Sequence, residues 1–283
     1  FTVVHEQFMT DTAKLADIVL PATMFVEHDD LYYGGGQQHL SFGRKLIEPP
    51  EGCKSNHELI CALAKRLGAS HPGFDMSARD LVDWTLQQSG WGTLDDLAQS
   101  DFIDCQPDFE TAHYLKGFNW PDGKFRFKVD WKNVPLANDG PMGPFETLPS
   151  LPDHWAVIEE ATADYPLRLA TSPARQFLNS TFTETSSSLK REGRPTVMIH
   201  PDDAARYQIT DGAEVELRNE RGAVRLHASY FSGLCRGVLI AEGIWPNSAY
   251  PDGRGINTLT GADQAAPFGG AAFHDNHVAI RPL

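Results

Sequence analysis

The chain has 283 residues, 41% of them apolar, and a formal net charge of −14, which leaves room for two domains and a sizeable core. No run approaches the roughly 20 apolar residues that span a bilayer, and so acidic a chain argues against general nucleic-acid binding. Residues 1–164 carry 12 Lys and Arg against 26 Asp and Glu, whereas residues 165–283 carry 12 of each, so the acidity belongs to the first part and reads as a solvated face.

Phe1-Thr-Val-Val-His5 reads as a β-branched strand with no initiator Met and no turn before it. Such a strand needs sheet neighbours, so the sequence is expected to be the C-terminal part of a longer polypeptide. A short helix is expected near Thr12–Leu15, then an apolar run, Ile18–Leu20, closed by Pro21. Strand, helix and strand over so short a span predict a parallel sheet. Asp29 to Ser41 reads as a loop. Its Gly34-Gly35-Gly36 either brings backbone amides close to a ligand or serves only as a flexible turn. Ser55-Asn-His-Glu58 fits a capping box. Leu59, Ile60, Leu63 and Leu67 continue it as an apolar stripe, stopped at Gly68. Further helices are expected from Ser77, with Leu81, Val82 and Leu86 inward, to near Gly90, and from Thr93.

Lys124–Trp131 alternates apolar and polar residues, the pattern of a half-buried strand. Pro135, Pro141, Pro144, Pro149 and Pro152 then mark a linker, and the chain is divided there into residues 1–150 and 151–283. Beyond it come short strands, at Leu167–Thr171, Thr196–Ile199, Ala213–Arg218, Ala223–Tyr230 and Gly237–Ala241. Asn219-Glu-Arg-Gly222 makes a hairpin and Pro201–Tyr207 a short helix with Pro in its first turn. Together these predict a small closed β-barrel.

Familiar catalytic signatures are missing. Asp252-Gly-Arg-Gly255 lacks the third glycine of a dinucleotide fingerprint. There is no phosphate-binding GxxxxGK[ST], no HExxH and no GxSxG. The adjacent pairs Asp29-Asp30 and Asp202-Asp203 point apart on an extended chain, against paired acid–base work. Cys53, Cys61, Cys105 and Cys235 form no CxxC pair, against an in-chain zinc or iron–sulfur site, and are expected to be buried, reduced thiols of a cytosolic protein.

What the chain does carry resembles one family. Thr10-x-Thr-Ala13, Ala16-Asp-Ile-Val-Leu-Pro21 and Glu27, continued by the helix capped at Ser55, are similar to the third domain of molybdopterin-dependent oxidoreductases of the dimethyl sulfoxide reductase superfamily. Leu167-x-Leu-x-Thr171-Ser172, Asn179-Ser-Thr181, His200-Pro-Asp-Asp-Ala204, Asp211-Gly212, Arg221-Gly222, Gly237, Asn257-x-Leu-Thr260 and Phe273-His274 resemble its C-terminal dinucleotide-binding domain. The resemblance covers about residues 1–70 and 165–283. It implies an α/β remnant of a parallel-sheet domain followed by an all-β double-psi β-barrel. It also implies a cofactor, molybdopterin guanine dinucleotide with molybdenum or tungsten, shared with an upstream half that supplies the metal ligand and often a [4Fe–4S] cluster.

The cofactor-binding residues it points to are Thr171, Ser172, Ala174, Arg175, Asn179, Ser180, Thr181, Asn257 and His274 in the barrel part, and Glu6, His28 and Asn56 before it. No catalytic or metal-ligating residue is assigned. Short polar side chains and free amides suit a heterocycle edge and a pyrophosphate, and Arg175 suits a phosphate. The same residues also suit turns and caps. Thr171-Ser172-Pro173 departs from the Thr-Gly-Arg of many relatives, His28 stands where many have Lys, and Asn56 where some have Asp.

The implied function is oxygen-atom or two-electron transfer in the full-length enzyme, with the isolated chain inactive and without cofactor. An electron-transfer subunit is a further partner the resemblance implies, and the expected location is cytoplasmic, with the periplasm left open. Two alternatives stay open. One is a non-catalytic relative, as in the large iron–sulfur subunit of respiratory NADH dehydrogenase. The other is an unrelated α/β enzyme with a barrel appendage.

Overall fold

The computed structural model describes residues 1–131, 149–151, 159–179, 181–265, 270–271, 273–274 and 276–283. They divide into two compact units, Phe1–Phe125 and Arg126–Leu283. Pro135, Pro141, Pro144 and Pro152 of the expected linker lie outside the described residues.

The first unit opens with β1 (Val3–Glu6), α1 (Asp11–Lys14) and β2 (Ile18–Pro21). β1 and β2 pair in parallel, Val3 opposite Ile18, as the short strand–helix–strand pattern requires. Thr10 caps α1 through the Ala13 amide at 3.2 Å. The expected loop at 29–41 is instead largely an antiparallel hairpin, β3 (Asp30–Tyr33) and β4 (His39–Gly43), extended by β5 (Ile103–Asp104). The glycines occupy only its tip. Leu31, Leu40 and Phe42 pull the flanking residues into strands by packing on the unit's core.

The helix α2 (Asn56–Leu67) carries the full capping box and ends at Gly68, whose φ of 68° is the left-handed stop glycine allows. Its apolar stripe is a correction. Ile60, Leu63 and Leu67 are exposed, and only Ala64 of this helix is buried. The periodicity was real, but nothing within this unit covers that face. α3 (Ala78–Gln88) and α4 (Leu94–Ser100) start at the Ser77 and Thr93 caps. Their Val82, Leu86, Leu94 and Leu97 join Leu40 in a small core. A short α5 (Phe109–Ala112) follows. Lys124–Trp131 is not a strand; its Phe125 and Phe127 are exposed, because alternation stabilises a strand only where a neighbouring strand takes its backbone groups.

The second unit is built on β6 (Leu167–Ser172), α6 (Ser186–Glu192), β7 (Thr196–Ile199), α7 (Pro201–Arg206), β8 (Glu214–Asn219), β9 (Gly222–Tyr230) and β10 (Val238–Glu242). A two-residue ladder, β11 (Gln264–Ala265) and β12 (Gly270–Ala271), precedes β13 (Asn276–Pro282). The barrel closes in the order β10-β6-β13-β8-β9-β7. β6/β10 and β7/β9 run parallel, and the other four pairings are antiparallel. This is the double-psi β-barrel expected after a small α/β part. Sequence reading passed over β13, which closes the ring between β6 and β8, and α6, whose first residue has no side-chain cap.

Period-two alternation fills the interior: Val215 and Leu217, Val224, Leu226 and Ala228, Leu239 and Ala241, Val278 and Ile280 are all buried in one core. The pairing also decides where loops meet. Parallel β6 and β10 finish together, Ser172 opposite Glu242, and antiparallel β13 begins at that same end.

Candidate functional site

At this end of the barrel lies a cavity of about 640 Å³, lined by Thr171, Ser172, Asn179, Asn257 and His274 together with Leu178, Ile244 and Thr260. Five residues singled out from sequence thus converge, brought by four separate elements. Thr171 and Ser172 end β6. Asn179 tops a tight turn, at φ 51°, closed by paired hydrogen bonds of 3.2 and 2.8 Å between Leu178 and Thr181. Asn257 lies in a short 3₁₀ turn, Ile256–Leu259. His274 comes from the lead-in to β13; its Nδ1 is 3.4 Å from the Thr171 hydroxyl, 103 residues away in sequence. Among the described residues, the side chains of Ser172, Asn179, Asn257 and Thr260 spend no hydrogen bond within the chain. Donors and acceptors are therefore left facing the cavity. Among the described residues its lining contains no Lys or Arg, and His274 is the one imidazole.

The other expected barrel residues sit differently. Ala174 is buried in the barrel core and outside the lining. It explains Gly243, which sits at φ 76° and where a Cβ would come within 2.8 Å of the Ala174 methyl and 2.7 Å of the Phe177 ring. Gly243 also donates to the Ser172 carbonyl at 2.8 Å, fixing the end of β6. Arg175 is exposed and outside the lining. Thr181 closes the turn rather than facing the cavity. Ser180 lies outside the described residues.

The loop that presents Asn257 and Thr260 is held from behind. The Leu259 carbonyl accepts from Asn219 Nδ2 at 2.8 Å, Arg221 Nε at 3.0 Å and Arg221 Nη2 at 2.8 Å. Arg221 also pairs with Glu159 at 2.5 Å, and the other carboxylate oxygen of Glu159 accepts from the His277 amide at 2.8 Å. Asn276, fully buried, donates to Phe273 O at 2.7 Å and accepts from the Gly261 amide at 3.4 Å, joining the two cavity-lining loops. Burial, and then the nearby Arg168 guanidinium, hold the His277 imidazole below its ordinary pKa, against the pull of Glu159. Tyr250, packed in the barrel core, is pushed up to about 12 by burial and stays a neutral phenol.

Sequence reasoning left Ile244, Thr260 and Phe273 out of the site. Thr260 and Phe273 stood inside quoted motifs, so their signal was available; Ile244 had none, because it enters only through the β6–β10 pairing.

In the first unit the expected residues are largely occupied with local bonds. Glu6 accepts from the Gln7 amide at 2.7 Å, and Asn56 Oδ1 is 3.0 Å from His5 Nδ1. His28 Nδ1 is 2.7 Å from the Thr23 hydroxyl, and His28 lines a second cavity of about 480 Å³ with Glu27, Cys53, Ser55, His57 and Cys61. The Asp17 carboxylate accepts from the Thr2 amide at 2.7 Å. The four cysteines are free thiols, but none is buried as expected: Cys53, Cys61 and Cys105 are half-buried and Cys235 is exposed, because each lies at the margin of a core rather than within it. Among the described residues no group of three or more His, Cys, Asp or Glu is placed to hold a metal ion, and no helix is long and apolar enough to cross a membrane.

Two family models match this sequence: Molybdopterin oxidoreductase over residues 1–66 and Molydopterin dinucleotide binding domain over residues 167–278. A probable oxidoreductase, YoaE, of Bacillus subtilis is 29% identical over 100% of this chain and 40% of its own length. The biotin sulfoxide reductase of Cereibacter sphaeroides is 29% identical over 98% of this chain and 40% of its own. Among solved structures, acetylene hydratase from Pelobacter acetylenicus superposes with a TM-score of 0.76 at 18% identity, covering 99% of this chain and 40% of that one. The chain thus spans about 40% of the length of these relatives.

Proposed function

From the premise that this chain belongs to the dimethyl sulfoxide reductase superfamily of molybdopterin oxidoreductases, we propose that it is the C-terminal part of such an enzyme and helps to hold its molybdopterin guanine dinucleotide. Residues 1–150 would be part of the α/β domain with its linker, and 151–283 the dinucleotide-binding barrel. The observation that carries this reading is the cavity of about 640 Å³ onto which Thr171, Ser172, Asn179, Asn257 and His274 converge.

The lining fits one part of the cofactor better than another. Amides and hydroxyls with unspent bonds suit the edge of a neutral heterocycle, offering donors and acceptors together. A pyrophosphate asks for guanidinium or clustered amides, and among the described residues this lining has neither Lys nor Arg. Asn257 and Asn179 would orient the heterocycle, and His274 would donate to an acceptor at its rim. Arg175, outside the lining, is the available cation for a phosphate beyond it. Glu6, His28 and Asn56 would contribute from the first unit.

When bound, the metal–pterin group supplies the oxygen-atom or two-electron chemistry, and the protein's share is binding and orientation. The metal would be molybdenum or tungsten, its ligand and any [4Fe–4S] cluster would lie in upstream polypeptide, and an electron-transfer subunit would partner the whole, in the cytoplasm or the periplasm. The chain alone is expected to be inactive.

The test is metal and pterin content of the longer protein, purified from cells grown with molybdate. The expected result is one metal and bound pterin dinucleotide per chain. Asn257→Ala and Asn179→Ala should each weaken retention by about tenfold, the value of one well-placed hydrogen bond. Absence of both molybdenum and tungsten, with pterin missing as well, overturns the reading.

A further inference from the structure

One carboxylate outside the barrel strands touches both of the loops that line the cavity. Glu159 precedes β6, lies outside the two matched segments, 1–66 and 167–278, and sits in a stretch with no motif. Its side chain is 21% exposed, and that of its partner Arg221 is 24% exposed. Its two oxygens are committed to different loops. Oε1 pairs with Arg221 Nη2 at 2.5 Å, and Oε2 accepts from the His277 amide at 2.8 Å.

Each contact leads to a different part of the lining. Through Arg221 and the Leu259 carbonyl it reaches the turn that carries Asn257 and Thr260. Through the His277 amide it reaches the start of β13, just after His274. The ion pair also lies against the lining itself: a Cβ built at Gly261 would be 3.6 Å from both Glu159 Oε1 and Arg221 Nη1. An exposed ion pair contributes little. This one is half-buried and shares its guanidinium with a backbone carbonyl, so screening is reduced and the bonds reinforce one another. Arg221 has a rival partner as well. Glu220, its neighbour on the hairpin turn, lies 3.9 Å from Nη1 and is 78% exposed. Without Glu159 the guanidinium is free to swing toward Glu220 and away from the Leu259 carbonyl.

We infer that Glu159 is a positioning residue of the cavity: by bridging Arg221 and the His277 amide, it sets the spacing between the Asn257–Thr260 turn and His274. Its consequence for cofactor retention rests on the proposed function, whereas the spacing itself does not. Glutamine is nearly the same size but cannot substitute. One of its two terminal atoms is an N–H₂ donor, which would face either a guanidinium or an amide N–H.

Glu159→Gln is the test, with Glu220→Gln as its control. In residues 1–283, exchange of the His277 amide should quicken about tenfold in Glu159→Gln. So should that of the Gly261 amide, which bonds Asn276 and not Glu159. The amides of Leu217 and Val224, paired in the barrel ladder, should keep their rates. In the longer protein the same substitution should speed pterin release about tenfold at an unchanged melting temperature, and Glu220→Gln should change neither. Unaltered exchange at Gly261 overturns the inference, as does a release rate equal to that of the wild type or matched by Glu220→Gln. So does a lower melting temperature with faster exchange throughout the ladder, because Glu159 would then support the barrel rather than space its loops. Pterin missing from the wild type counts against the cofactor reading alone, and the exchange rates then decide the role of Glu159.

Discussion

The two units solve the problem of burial differently. The barrel is a ring with no free edge, and its strands bury apolar residues from all six of its members in one continuous core. The first unit has a core of five buried residues, Leu40, Val82, Leu86, Leu94 and Leu97, leaves the apolar stripe of α2 exposed and buries no residue of β1 or β2. A closed sheet satisfies its own backbone; an open parallel pair depends on what is added to it. The barrel should therefore account for most of the measurable stability of this chain.

Truncation experiments give the sharpest contrast. Leu217→Ala, at a fully buried barrel position, should cost about 2–5 kcal/mol in urea unfolding. Leu67→Ala, at an 81% exposed position of α2, should stay within about 0.5 kcal/mol. Comparable losses at both would break the comparison. Next comes Gly243→Ala, which meets the Phe177 ring and Ala174 and needs a positive φ. A loss of about 1–3 kcal/mol by the same measurement is expected, with weakened cofactor retention because Ser172 shifts with it. Ser55→Ala removes the capping box of α2 and should cost the first unit about 1 kcal/mol, read as faster exchange of the Glu58 amide.

The smallest effect is a pH dependence. His277 is held below its ordinary value in the folded barrel, so the unfolded chain takes up a proton first as pH falls. The stability it contributes is complete above about pH 6.5 and is lost as pH falls from there toward the depressed folded value. Replacing it with Gln should flatten the melting temperature of the barrel between pH 7.5 and 5; an unchanged slope would remove His277 from this account.

Much of this was legible in sequence where the cause is local. The Ser55–Glu58 box, the Ser77 and Thr93 caps, Gly68 and the Asn219–Gly222 hairpin each need only a few neighbouring residues to specify them. Errors came where the cause is distant. Lys124–Trp131 has a strand's alternation without a strand beside it. Asp29–Ser41 has a loop's glycines, yet packing of Leu31, Leu40 and Phe42 makes a hairpin. Ile60, Leu63 and Leu67 have a buried helix's spacing on an uncovered face. The cavity was half legible: polar motifs named Ser172, Asn179, Asn257 and His274, but not Ile244, and not the exclusion of Arg175 and Thr181. Those depend on β10 and β13 both joining β6, which no local spacing encodes.

The Leu259 carbonyl, gripped by Asn219 and twice by Arg221, has a kinetic corollary. A mould already set before its guest arrives charges little ordering entropy on entry. Escape must then break the guest's own bonds without help from a yielding wall, so loosening that clamp, as in Arg221→Lys, should shorten residence time far more than it slows arrival.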